Sequence, residues 1–204
     1  MEIASHSANL SFIPQPVDAR FAPPSVISKT SLECPYPKSA SKTFHLFCLS
    51  FHHFGDQAAG SVMSSMLHTS DGFAIIELQD RTLGMLLLMT GQFALLMLLT
   101  IFWFPHDWTH LLFTYWIPIL PFVQLWDGLV SCLRTRTFAE VLVLAEKAIG
   151  EKAKTVGVES TPTKGWGRED VSVAVCGDWR LTSVRTMHTW PFGYMNAVIG
   201  HKRT

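Results

Sequence analysis

Residues 82–104 read TLGMLLLMTGQFALLMLLTIFWF, and this stretch decides the fold. It contains no Asp, Glu, Lys or Arg, and twelve of its residues are Leu, Ile or Phe. Crossing the hydrocarbon core of a bilayer takes about 20 predominantly apolar residues in a helix. A buried core helix of a soluble protein is the alternative, but such helices seldom run this long without a polar face. The pattern predicts a membrane-spanning helix over Thr82–Phe104.

A second apolar run, LLFTYWIPILPFVQLW, covers Leu111–Trp126. Pro118 and Pro121 would each remove a backbone hydrogen bond and bend a helix. Prolines are nevertheless tolerated in membrane helices where neighbouring groups satisfy the freed carbonyls. The second segment is therefore either a kinked span or a re-entrant or interfacial helix, and residues 82–133 together predict a two-helix membrane hairpin.

Positive charges predict how this hairpin is oriented. Arg81 precedes the first apolar segment, Arg134 and Arg136 follow the second, and the connecting turn Pro105–Asp107 contains no Lys or Arg. Cytosolic loops carry the excess of Lys and Arg in membrane proteins. We therefore expect an integral membrane protein with the lipid bilayer as a partner and with both termini in the cytosol.

Composition narrows the remaining possibilities. The chain has 204 residues, with 16 basic and 16 acidic side chains. It has no basic block that would follow a phosphate backbone, so nucleic acid is not an expected partner. Its four cysteines form no CxxC pair, which is typical of reduced thiols in an intracellular protein. Residues 1–42 are predicted to be a poorly structured N-terminal segment.

The segment 43–81, before the hairpin, predicts a strand–helix–strand unit. Thr43–Ser50 is an apolar run of strand length, and Asp56 is a good N-cap for a helix that extends to about His68. Phe73–Leu78 is a second buried-type strand. Two strands joined by a helix in this way form a parallel pair, which predicts an α/β fold.

The segment 134–204, after the hairpin, is predicted to complete the sheet. Thr137 and Glu140 have the spacing of a capping box before an amphipathic helix that ends at Gly150. The polar, Gly- and Pro-containing stretch 151–170 is predicted to be a flexible loop. Three short strands follow, predicted to be antiparallel at a sheet edge: Val171–Cys176, Trp179–Met187 and Gly193–Gly200.

Three segments carry a resemblance to a known family: PVDAR at residues 16–20, LFCLSFHHFGD at 46–56 and DGLVSCLRTRTFAEVLVLA at 127–145. Together they resemble the C-terminal half of class I S-adenosylmethionine-dependent methyltransferases. The resemblance is strongest to predicted methyltransferase-like proteins of fungi and bacteria that carry hydrophobic segments after the fifth strand. It implies an α/β fold, in which a partial Rossmann-like methyltransferase sheet is interrupted by the two-helix transmembrane hairpin.

The resemblance also implies site residues. Asp18 and the backbone amide of Ala19 would contact the adenine ring, and Ser50 would lie beside the cofactor. His52 and His53 are weak candidates for a catalytic base, since a histidine pKa suits proton transfer near neutral pH. The alternatives are a solvated turn at Asp18 and a structural cap of the strand end at the histidines. Adjacent histidines on extended backbone point to opposite faces, so no metal site is predicted.

The sequence departs from the family at its cofactor-binding half. It contains no GxGxG turn and no strand-end acid that would hold the cofactor ribose before Asp18. We therefore expect a truncated, methyltransferase-like chain without independent catalysis. No cofactor is expected for this chain alone, whereas S-adenosylmethionine is expected in a full-length form, and no small-molecule substrate can be named. The alternative is a non-catalytic membrane accessory or adaptor with a protein partner in lipid or small-molecule metabolism.

Overall fold

The computed structural model describes residues 18–21, 42–162 and 168–203. These residues form an α/β fold with one mixed six-stranded sheet. The strands are β1 (Phe44–Cys48), β2 (Gly72–Glu77), β3 (Lys154–Pro162), β4 (Arg168–Cys176), β5 (Trp179–Thr189) and β6 (Gly193–Lys202). The α-helices are α1 (Asp56–Thr69), α2 (Leu83–Trp103), α3 (Trp108–Leu111), α4 (Ile119–Arg134) and α5 (Phe138–Ile149). The predicted poorly structured segment 1–42 lies almost wholly outside the described residues.

The sheet has the strand order β1-β2-β6-β5-β4-β3. β1 and β2 are parallel, with Phe44 opposite Gly72 and Cys48 opposite Ile76, so the predicted strand–helix–strand unit is confirmed. The other neighbouring strands are antiparallel, which confirms the antiparallel prediction for β4, β5 and β6. The predicted edge position of these three strands is wrong: each lies between two neighbours, and β6 pairs with β2 as well as with β5. β2 is buried along most of its length, and such a strand needs a hydrogen-bonded neighbour on each side.

The predicted flexible loop over 151–170 is wrong. β3 pairs with β4 in an antiparallel ladder that runs from Lys154 opposite Val175 to Pro162 opposite Arg168. β3 is an edge strand, and edge strands carry polar residues and proline because one side of their backbone faces solvent. Its composition therefore resembles that of a loop, although its backbone hydrogen bonds belong to the sheet.

The helices α1 and α5 pack on one face of the sheet. Asp56 was predicted to be the N-cap of α1, but it is the first residue of the helix and Gly55 occupies the N-cap. The capping box between Thr137 and Glu140 at the start of α5 is confirmed, and Gly150 ends that helix with a φ of 82°. The core between helices and sheet includes Phe51, Val62, Met63, Phe73, Ile75, Val141, Leu181 and Val198.

Part of the opposite face of the sheet carries exposed apolar side chains in the described part of the chain. Leu46 lies opposite Ala74, which in turn lies opposite Ile199, so these side chains share that face. Phe44 and Leu46 are 57% and 58% exposed and Ile199 is 40% exposed, whereas Ala74 between them is 6% exposed. Large exposed apolar side chains on one sheet face form a candidate interaction surface.

The hairpin is inserted between β2 and α5. Its first helix, α2, has 21 residues and is capped by the Thr82 side chain, which accepts a hydrogen bond from the backbone N–H of Met85. At 1.5 Å per residue α2 is about 30 Å long, which matches the thickness of the hydrocarbon core. Only 11% of its most apolar 18 residues are buried inside the protein. By length and composition, α2 is able to cross a membrane.

The second apolar segment is a bent pair of helices. α3 continues as a π-helical turn over Leu112–Trp116, and this unit meets α4 at an angle of 69°. The break lies at Pro118, which precedes α4. Pro121 was expected to bend the helix as well, but it occupies the first turn of α4, where its missing N–H costs no helical hydrogen bond. The predicted hairpin therefore consists of one straight helix and one broken segment.

Replacing Thr137 by alanine tests the capping box. We expect T137A to lower the free energy of unfolding by about 1 kcal/mol, because it removes the acceptor for the backbone N–H of Glu140. Denaturant unfolding of the detergent-solubilised chain, followed by circular dichroism, measures this change. T137S is the matched control and retains the hydroxyl. Equal loss of stability in the two variants would contradict the capping role.

Candidate functional site

A buried histidine–glutamate pair lies where the parallel strands end. His52 belongs to a short 3₁₀ turn, Phe51–His53, that follows β1, and Glu77 is the last residue of β2. The Nδ1 atom of His52 lies 2.7 Å from Oε2 of Glu77, and the backbone N–H of His52 donates to Oε1 at 3.1 Å. Each side chain is 5% exposed. The pair therefore joins the carboxyl ends of β1 and β2 inside the protein.

This pairing decides what each histidine can do. A buried carboxyl group needs hydrogen-bond partners, and His52 provides its backbone N–H and its ring Nδ1. The ring of His52 is thus engaged with Glu77 and covered from solvent. His53 is exposed, and its ring lies 4.2 Å from that of His52. Sequence reasoning missed Glu77, whose signal was an acidic residue that ends the apolar run FAIIE.

Two arginines join the end of the hairpin to the turn after β1. Arg136 donates to the carbonyl oxygen of Phe51 at 3.3 Å and to that of Phe54 at 2.8 Å, and it contacts a carboxylate oxygen of Asp56 at 2.9 Å. Its side chain is only 8% exposed. Arg134 donates to the carbonyl oxygen of His53 at 3.0 Å. The C-terminal end of α4 is therefore held directly above the histidine turn.

The start of the hairpin is held to strand β5. Asp80 accepts a hydrogen bond from the backbone N–H of Thr82 at 3.0 Å and another from the Thr82 hydroxyl. Its second carboxylate oxygen lies 2.7 Å from a guanidinium nitrogen of Arg185 in β5. The Arg185 guanidinium also lies 3.7 Å from the ring centre of Tyr194. Both ends of the hairpin are thus bound to the sheet by charged side chains.

A groove of about 850 Å³ opens beside this junction, between the start of α1 and α5. We call it the basal groove, because it lies at the base of the hairpin. Its cationic lining comes from both ends of the hairpin and from α5, and apolar side chains lie next to the cations. The residues that define it are Arg81, Leu133, Arg134, Arg136, Val143 and Lys147.

Two carboxylates neutralise part of the charge in the basal groove. Asp56 pairs with Arg136, and Glu140 pairs with Arg81 at 2.8 Å. Partial burial by itself raises the pKa of Glu140, but hydrogen bonds from Thr137 and Arg81 lower it, so that its pKa lies below the usual value. Among the described residues, no carboxylate lies within ion-pair distance of the other two cations of the groove.

The residues that the resemblance assigns to a cofactor lie at the 3₁₀ turn Ala19–Phe21 and at the turn after β1. Asp18 binds Arg20 at 2.6 Å, and hydrogen bonds from the Arg20 side chain and backbone lower the pKa of Asp18. Ala19 packs against the core. Ser50 is half-buried at the N-cap of the histidine turn, where its side chain makes no capping hydrogen bond. Within the described residues, no hydrogen bond or ion pair joins Asp18 to Ser50 or to His52.

No group of three or more His, Cys, Asp or Glu side chains in the described ranges could hold a metal ion. Comparison with protein families, curated proteins and solved structures finds no match to this chain. The hairpin, the histidine–glutamate pair and the basal groove are therefore the features from which a function can be inferred.

Removal of the Glu77 carboxylate tests the buried pair. We expect E77A to lower the free energy of unfolding by about 2–6 kcal/mol, because it leaves two buried polar groups of His52 without partners, at about 1–3 kcal/mol each. Denaturant titration followed by circular dichroism measures the change. E77Q keeps an acceptor and should lose less. A double variant, H52F with E77M, replaces both partners by apolar groups and should be more stable than E77A; the reverse order would contradict the pairing.

Proposed function

We propose that this chain is a membrane-anchored, methyltransferase-like α/β protein. Its hairpin holds the six-stranded sheet at the cytosolic surface of a bilayer, and the chain alone does not catalyse methyl transfer. The observation that carries this proposal is the 21-residue helix α2, which is apolar along its length and mostly unburied. In water such a surface would be strongly unfavourable, whereas in a bilayer it is solvated by lipid tails.

The charges at the ends of the hairpin support the orientation. Arg81 precedes α2 and Arg134 ends α4, and both line the basal groove, so the two ends of the hairpin meet at one level. The positive-inside rule assigns that level to the cytosol. Exposed tryptophans, which favour the membrane–water interface, lie along the hairpin at Trp103, Trp108, Trp116 and Trp126.

Two features support the methyltransferase-like part of the proposal. The segment 46–56, which carries the resemblance, covers the end of β1 and the turn after it, and β1 pairs in parallel with β2. The lack of activity by this chain alone is supported by His52, whose ring is bound to Glu77 and covered. The sequence also carries no GxGxG turn for a cofactor.

One observation favours a second function, that of a membrane adaptor. Phe44, Leu46 and Ile199 are exposed on one face of the sheet, and β1 is an edge strand of the sheet that the described residues form. Protein partners bind both kinds of surface. As an adaptor, the chain would be anchored in the membrane by the hairpin and would bind a partner protein through this face, without catalysing a reaction.

Membrane fractionation and cysteine labelling test the anchoring. We expect the expressed chain to sediment with membranes and to resist extraction by alkaline carbonate. In a C34S background, a membrane-impermeant maleimide should label the exposed Cys48 from the cytosolic side. It should label an H106C variant, whose new thiol lies in the turn after α2, from the opposite side.

The remaining thiols serve as internal controls for the labelling. Cys132 and Cys176 are buried, and burial together with the charges of Glu146 and Glu151 raises the pKa of Cys176. Neither should react until the chain is denatured. Labelling of Cys48 and H106C from the same side would contradict the spanning orientation, and recovery of a monodisperse chain from the aqueous fraction would contradict the anchor.

Calorimetry with S-adenosylmethionine tests the catalytic part. We expect no heat of binding to the detergent-solubilised chain at ligand concentrations up to about 1 mM, which corresponds to an affinity weaker than about −4 kcal/mol. A methyltransferase of established activity, solubilised in the same detergent, is the positive control. Saturable binding followed by methyl transfer to any acceptor would contradict the proposed lack of activity.

A further inference from the structure

The basal groove contains two cations, Arg134 and Lys147, that no described residue neutralises. Among the described residues, Arg134 donates one hydrogen bond, to the carbonyl oxygen of His53, out of the five N–H groups of its guanidinium. Lys147, in the last turn of α5, is exposed at the opposite wall. Within the described ranges, no carboxylate forms an ion pair with Arg134 or with Lys147. The four cations that line the groove outnumber its two carboxylates, Asp56 and Glu140. Such an excess of positive charge in a cleft concentrates anions, and arginine and lysine both bind phosphate.

The apolar part of the lining points to an amphiphilic ligand. Leu133 is 57% exposed and Val143 is 46% exposed, and both line the groove beside the cations. A free phosphate ester would gain nothing from these side chains. A phospholipid would place its phosphate on the cations and its glycerol and upper acyl carbons on the apolar wall, which would remove that wall from water.

The depth of the groove relative to the bilayer favours the same ligand. Arg81 immediately precedes the N-cap of α2, and Arg134 is the last residue of α4. If the hairpin lies in the hydrocarbon core, these residues lie in the layer of the lipid headgroups. Basic pockets at the cytosolic ends of membrane helices bind anionic headgroups.

We propose that the basal groove binds the phosphate of an anionic phospholipid from the cytosolic leaflet, with Arg134 and Lys147 as its ligands and Leu133 and Val143 along its acyl-glycerol part. This inference rests on the proposed membrane anchoring. The phosphate is assigned to a lipid. Because the same cations would also bind the phosphate of a soluble ester, the test distinguishes a lipid from a soluble ester.

Mass spectrometry under native conditions measures how many lipid molecules stay bound to the full detergent-solubilised chain. With equal amounts of dioleoyl phosphatidic acid and dioleoyl phosphatidylcholine, we expect one phosphatidic acid per chain to bind preferentially. The double variant R134Q with K147Q should bind phosphatidic acid about 30-fold more weakly, at about 1 kcal/mol for each cation. The matched control, K154Q with R180Q, removes two cations that lie on the sheet outside the groove, and it should bind like the unmodified chain.

Two further arms identify the source of the phosphate. V143N makes the apolar wall polar and should weaken phosphatidic acid binding while α5 stays folded. Glycerol 3-phosphate at about 1 mM should not displace the lipid, since it lacks the acyl part. Displacement by glycerol 3-phosphate would overturn the lipid assignment in favour of a soluble ester.

The remaining outcomes are equally decisive. If the groove variant and its matched control weaken phosphatidic acid binding equally, the assignment of the groove is overturned. Equal binding of the two lipids to the unmodified chain would also overturn it, and this comparison needs no variant. A chain that sediments with membranes but shows no lipid preference would overturn this inference alone. A chain that remains in the aqueous fraction would overturn the membrane anchoring as well.

Discussion

The buried guanidinium of Arg136 is the interaction on which the arrangement of the molecule depends. It lies two residues beyond the hairpin, and its hydrogen bonds reach the carbonyl oxygens of Phe51 and Phe54. A buried cation is stable only when its donors are satisfied, so the turn after β1 has to keep the shape that presents those oxygens. That shape also brings His52 to Glu77. The end of the hairpin and the carboxyl edge of the parallel strands therefore form one structural unit.

Within the hairpin, backbone hydrogen bonding limits what the broken segment can do. Lipid offers no hydrogen bonds, so irregular backbone at membrane depth has to be satisfied by protein. The Tyr115 side chain joins the broken segment to the backbone of α2: its hydroxyl donates to the carbonyl oxygen of Met97 at 2.6 Å and accepts from the backbone N–H of Ile101 at 3.1 Å. This contact ties the π-helical turn to α2, so the segment before the bend at Pro118 is held against that helix.

Elements with local signals were predictable, and elements that depend on distant partners were not. Helix α5 was predictable because Thr137, Glu140 and Gly150 lie at or near its ends and cap it locally. β3 was missed because an edge strand takes its hydrogen bonds from a neighbour and needs no apolar pattern of its own. The same distinction applies to the site. The sequence indicated His52, but Glu77, its partner, lies 25 residues away in the chain. The arginines that hold the histidine turn, Arg134 and Arg136, lie more than 80 residues from it.

By itself, the sequence determined that α2 is long and apolar enough to cross a membrane, that its flanks are basic and that a strand–helix–strand unit precedes it. These properties follow from composition and from periodicity within single elements. Only the tertiary structure decided that β6 lies between β2 and β5, that Glu77 engages His52 and that cations from both ends of the hairpin share one groove with α5. The physical reason is that strand pairing and charge pairing are made between residues far apart in the chain, and no local pattern records which partner each group will meet.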